Sequence, residues 1–163
     1  MGKKIIRIIA FLMIGVIVAG VIRIVTLPSR KIVCNYQCDS LYISRLDGDS
    51  ISLDKLIKER EKLLIMFVHP TCVYCPGELD ELNELNMPEL TANIVSVSSE
   101  SDLEKFIGNR TFAGLGEVNF IADTTVCWTN TLNVKLLPTT FYFRNGNLEA
   151  HKTGAVPLGK LME

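Results

Sequence analysis

Leu63-Leu64-Ile65-Met66-Phe67-Val68, His69-Pro70-Thr71, Cys72-Val73-Tyr74-Cys75, then Glu78-Leu79-Asp80-Glu81-Leu82-Asn83-Glu84-Leu85: this stretch decides the fold. The six apolar residues read as a buried strand, and the acidic, leucine-spaced segment after the cysteines reads as a helix. A cysteine pair between a strand and a helix stands at the helix N-terminus. Unpaired backbone N–H groups and the positive end of the helix favour a thiolate there. Cys72, at the end of the strand, is the expected nucleophile. Cys75, shielded in the first helical turn, is the expected resolving thiol. His69 is read as a strand-end residue, with a positive potential near Cys72 as the alternative.

The other readings of a CxxC have less support. A structural zinc site needs a second ligand pair. Cys34 and Cys38, in Cys34-Asn35-Tyr36-Gln37-Cys38, are spaced differently, and His69 and His151 form no pair in sequence. No metal and no cofactor are therefore expected. A thiol peroxidase would carry P-x-x-x-T-x-x-C, but the Pro and Thr positions of that spacing are Ile65 and His69 for Cys72, and Val68 and Cys72 for Cys75. A Cu(I)-binding module that uses the two thiolates is the non-enzymatic alternative.

Working outward, Ile5 to Leu27 is one apolar stretch behind Met1-Gly2-Lys3-Lys4, interrupted only by Arg7 and Arg23 near its ends. Residues 1–27 are read as a single N-terminal transmembrane anchor whose arginines reach the headgroups. A cleaved signal peptide is the alternative, but Val18-Ala19-Gly20 offers no A-x-A site. Either way the rest of the chain is exported, to the outer side of the cytoplasmic membrane. Residues 28–39 form a linker, in which a local Cys34–Cys38 disulfide suits an oxidising compartment. Residues 40–163 form one α/β domain. The chain of 163 residues has a net charge of −1 and no basic patch with interleaved aromatics, which argues against nucleic acid as a partner.

In that domain, Leu41–Ser44 alternates like a strand and Asp47-Gly48-Asp49-Ser50 is a turn. Ser52–Lys58 reads as a short helix capped by Ser52, with Lys55 and Lys58 facing solvent. Residues 93–98 and 118–122 read as strands, and residues 100–108 and 124–132 as helices. Residues 140–144 and 148–153 form a hairpin around Asn145-Gly146. The order implies a mixed sheet with helices on both faces. Pro138, in Leu136-Leu137-Pro138-Thr139-Thr140, opens a strand, where a proline marks a turn and is sometimes cis. Cys127, beside Trp128, is read as a small core residue.

Taken together, the strand–CxxC–helix order, Pro138-Thr139 far downstream and the hairpin followed by Gly154 resemble the thioredoxin fold. They resemble most the membrane-anchored thioredoxin-like proteins of the bacterial cell envelope, the TlpA/ResA-like thiol–disulfide oxidoreductases. The resemblance spans about Ser40 to Gly154 and includes Leu46-Asp47-Gly48-Asp49-Ser50-Ile51-Ser52-Leu53 and Asp123. It implies a cis peptide before Pro138, with Leu137 and Pro138 offering backbone groups to a substrate. It also implies a functional glutamate at Glu78, three residues beyond Cys75, as a proton carrier for exchange. The alternative for Glu78 is a solvated acid among Asp80, Glu81 and Glu84. Met66 stands where cytosolic-type thioredoxins place a buried acid. The implied activity is disulfide reduction on exported thiol or disulfide proteins, as in cytochrome c maturation, with a membrane electron donor restoring the dithiol. Val73-Tyr74 replaces the usual Gly-Pro, and this leaves an oxidase or isomerase open.

Overall fold

The structure is a computed structural model that describes residues 42–44 and 46–162. The expected anchor and the Cys34/Cys38 linker lie outside the described residues. Among the described residues, no helix is long and apolar enough to cross a membrane.

Tyr42–Ser44 (β1) and Ser50–Ser52 (β2) pair antiparallel across the expected turn. Leu53–Glu59 (α1) follows, with Leu53 and Leu56 buried and Lys55 and Lys58 exposed. Ser52 is its N-cap by position, but its side chain makes no capping hydrogen bond. The apolar run forms Lys62–Val68 (β3), then Cys75–Glu84 forms α2, Met87–Ser96 β4, Glu100–Ile107 α3 and Leu115–Ala122 β5. Cys127–Thr131 (α4), Thr139–Arg144 (β6), Asn147–Thr153 (β7) and a 3-10 turn at Leu158–Leu161 complete the order.

The main sheet runs β5-β4-β3-β6-β7. Its β3, β4 and β5 are parallel, while β6 pairs antiparallel with both β3 and β7. β3 is central and buried from Leu63 to Val68, and this is why it reads as an unbroken apolar run rather than an alternation. Its residues still divide between two faces. Leu64, Met66 and Val68 pack with Leu79 and Leu82 of α2 and Leu103 and Ile107 of α3. Leu63, Ile65 and Phe67 pack with Leu53 and Leu56 of α1 and Trp128 of α4. Where β3 begins, Lys62 Nζ donates to Glu89 Oε1 at 2.6 Å. That hydrogen bond lowers the Glu89 carboxyl from its ordinary value and raises the Lys62 ammonium.

The strand at Ser50–Ser52 is not in the sequence reading, and three further elements differ from it in extent. The helix expected at 124–132 is only Cys127–Thr131, because Val126 turns left-handed at φ 54° and a helix cannot pass through it. β4 starts at Met87 rather than Asn93. Pro88 lies in its outer part, where a register shift between Met87 and Thr91 tolerates a residue without an N–H. β5 starts at Leu115, three residues before the expected position.

Candidate active site

β3 stops at Val68, and His69–Tyr74 turns the chain into α2. Within that turn the Cys72 N–H donates to the His69 carbonyl at 3.0 Å, and the Cys75 N–H to the Cys72 carbonyl at 3.3 Å. His69 is tied locally: its Nδ1 accepts from the Thr71 amide at 3.2 Å and lies 2.9 Å from the Thr71 hydroxyl. Cys75 is the first residue of α2, and Pro76 follows where a missing N–H costs the helix nothing. Tyr74 is the N-cap by position, and no side chain caps the helix. The first-turn amides and the positive end of the helix are thus left to the cysteine pair.

Cys72 and Cys75 are joined in a disulfide, with Cα atoms 5.4 Å apart. The pair is asymmetric. Cys75 is completely buried, whereas Cys72 is partly exposed between the exposed Thr71 and Val73. Val73 and Tyr74 are 86% and 64% exposed, unusual for apolar side chains of this size.

The Leu137–Pro138 bond is cis, as expected. In the β3–β6 register Phe67 pairs with Thr139, so Pro138 lies one step beyond, beside the end of β3 from which the cysteine turn departs. Pro138 is buried, and its carbonyl already accepts from the Gly154 N–H at 2.8 Å. Leu137 is half-buried and packs against both cores. The exposed member of this loop is Leu136, which the sequence reading passed over.

Glu78 is no solvated acid. It is 4% exposed, and its Oε2 accepts from Lys152 Nζ at 2.6 Å. Lys152, itself buried, also donates to the Val156 carbonyl. The neighbouring acids differ: Asp80 is exposed and pairs with Arg110, Glu81 accepts from the Leu158 N–H, and Glu84 is exposed. Sequence reasoning missed Lys152, which looks like one more charged residue on an alternating edge strand. Met66, Thr140 and Lys152 are successive neighbours across β3, β6 and β7. Beside these groups, a cleft of about 370 Å³ is lined by Val73, Tyr74, Gly77, Glu78, Glu81 and the loop Ala155-Val156-Pro157.

Cys127 is buried in the core cluster with Leu53 and Ile121, but it is disulfide-bonded and not the free small core residue expected. The Cys34–Cys38 pairing lies outside the described residues. Among the described residues there is no group of three or more His, Cys, Asp or Glu side chains able to hold a metal ion.

No family model matches the chain, and no curated protein matches its sequence. Solved structures do resemble it. MTB dsbF, in mixed oxidised and reduced forms, is similar with a TM-score of 0.59 at 21% identity, over 74% of this chain and 88% of that one. StoA from Bacillus subtilis is similar with a TM-score of 0.58 at 18% identity, over 75% and 95%. A putative thiol:disulfide interchange protein DsbE from Chlorobium tepidum gives 0.60 at 18% identity, over 74% and 85%. At these identities the likeness is one of architecture, and it establishes that the domain bearing Cys72 and Cys75 has the thioredoxin-like fold.

Proposed function

We propose that the chain is a membrane-anchored, extracytoplasmic thiol–disulfide oxidoreductase that exchanges disulfides with exported proteins through Cys72 and Cys75. The observation that carries the reading is the asymmetric cysteine pair at an uncapped helix N-terminus: one sulfur partly exposed, the other buried behind it. The solved structures that share the fold include proteins described as a disulfide oxidoreductase and as a thiol:disulfide interchange protein, which supports the same activity here.

In the reducing direction the Cys72 thiolate attacks a substrate disulfide. A bond forms from Cys72 to one substrate sulfur, and the other leaves as a thiolate and takes a proton. Cys75 then gives up its proton, with Glu78 as acceptor, and attacks Cys72. The Cys72–Cys75 bond forms, the second substrate sulfur leaves, and two electrons have passed from the protein to the substrate. Exposed Val73, Tyr74 and Leu136 offer the substrate an apolar surface around the reacting sulfur. We read the direction as reductive, with maturation of cytochrome c one process it would serve and a membrane donor restoring the dithiol.

The test pairs a trap with a potential. Cys75→Ser should accumulate a mixed disulfide through Cys72 that reductant dissolves. The wild-type pair should equilibrate near the thioredoxin value of about −270 mV; a value near −120 mV would mark an oxidase. Absence of any Cys72-linked adduct would overturn the oxidoreductase reading.

A further inference from the structure

A buried ion pair stabilises a fold poorly, because desolvation offsets the attraction, and two apolar side chains would fill the same space at least as well. What such a pair does is fix the charge and direction of a carboxylate. Glu78 and Lys152 stand where that matters. Glu78 follows Cys75 by three residues on α2, so the two side chains share one face of the helix, and both are buried. Lys152 comes from β7, alongside Thr140 and in line with Met66 under the same helix. Met66 has no proton to carry, and the buried Thr140 hydroxyl has no partner among the described residues. The ammonium also holds the Val156 carbonyl, so Lys152 is fixed at two points. Glu78 Oε2 is committed to it, and among the described residues Oε1 takes no hydrogen bond.

We infer that Lys152 is a positioning residue for the exchange: it holds Glu78 charged and turned so that the second carboxylate oxygen can take the proton of Cys75. The inference rests on the reading of Cys72–Cys75 as the exchange pair with Glu78 as its acceptor. In the mixed disulfide the Cys75 thiol passes its proton to Glu78, and its sulfur attacks Cys72. As the new bond forms, the bond from Cys72 to the substrate sulfur breaks, and the departing thiolate takes a proton from Glu78 or from water. Without Lys152 the buried carboxylate loses its counter-charge and the contact that fixes its direction toward Cys75. The titratable groups around Glu78 are Cys75 and Glu81 on its own helix, Tyr74 at the mouth of the cleft and Lys152 from β7; Glu81 is already bound to the Leu158 amide.

The experiment uses the full-length chain in detergent with only the Cys72–Cys75 disulfide reduced, mixed with dithiobis-nitrobenzoate, whose thiolate is coloured. The first burst of colour reports attack by Cys72, and the second reports its release by Cys75. Lys152→Met should slow the second burst roughly 100-fold at neutral pH, the low end of what a lost proton acceptor costs. It should leave the first burst within about twofold. Glu78→Gln should slow the second burst as much. Because the two residues act as a unit, the double variant should be no slower than Glu78→Gln alone. Lys152→Arg should retain most of the rate. A second burst at the wild-type rate in Lys152→Met, with Glu78→Gln slow, overturns the inference. A wild-type rate in Glu78→Gln overturns the role of Glu78 instead, while the Cys75→Ser trap still stands or falls by itself. Should Lys152→Met not fold, the double variant buries no charge. A second burst slower in it than in Glu78→Gln would then overturn the inference, and equal rates would support it.

Discussion

Asp123 has no exposed surface, yet its carboxylate accepts three hydrogen bonds: from the Cys127 amide at 2.8 Å, the Thr129 amide at 2.8 Å and the Thr129 hydroxyl at 2.7 Å. Its own N–H donates to the Ser96 carbonyl at 2.7 Å. One side chain therefore starts α4 and locks the left-handed Val126 between them. Asp123→Ala removes the acceptor of one buried amide bond, one part-buried amide bond and one hydroxyl bond. It should cost about 2–4 kcal/mol in urea denaturation, with Asp123→Asn recovering part of the loss. At this scale the sequence was most informative where chemistry is written locally. Cys72, Cys75 and Glu78 lie within seven residues of one another, and Pro138 announces itself by what it cannot donate. Lys152 was not legible. It gains its role only from a partner 74 residues away, and nothing in Ala150-His151-Lys152-Thr153 sets it apart from a solvated edge-strand lysine.

Elements announced themselves by periodicity and punctuation, and were misplaced where both failed. β3 was plain, and so was the β6–β7 hairpin, whose Asn145-Gly146 turn has φ of 50° and 79° at its two central positions. The early parts of β4 and β5 were missed, since Met87-Pro88-Glu89 and Leu115-Gly116-Glu117 do not read as strand. Their glycines have a spatial reason instead. A Cβ at Gly116 would stand 2.1 Å from the Pro88 carbonyl oxygen, and one at Gly114 would stand 2.0 Å from that of Leu85. The chain around β5 approaches the start of β4 more closely than any side chain permits. Gly116→Ala should force the two apart and cost roughly 2–4 kcal/mol by denaturant titration. Gly159→Ala, with nothing within 4 Å of its Cβ, is the control and should change stability by less than about 0.5 kcal/mol.

At the scale of the whole molecule, the sheet is covered on both faces, and the cysteine turn leaves it at the end of its central strand. That much followed from counting strands and helices in order. The reading of residues 1–27 as an anchor makes a separate prediction. The full chain should sediment with membranes and resist extraction by salt or alkali, and protease added from the outer side should remove the domain. Intact chain in the soluble fraction would overturn the anchor. The position of Lys152 near the end of the order has one more consequence. A chain that emerges N-terminus first delivers Cys72 and Cys75 well before β6 and β7 exist to pack against β3. During that interval the thiols are present, but Glu78 has no counter-charge and nothing closes over it. If Lys152 positions Glu78 as inferred, a half-made chain carries reactive sulfur without the machinery to turn it over, and competence arrives only when the sheet is complete.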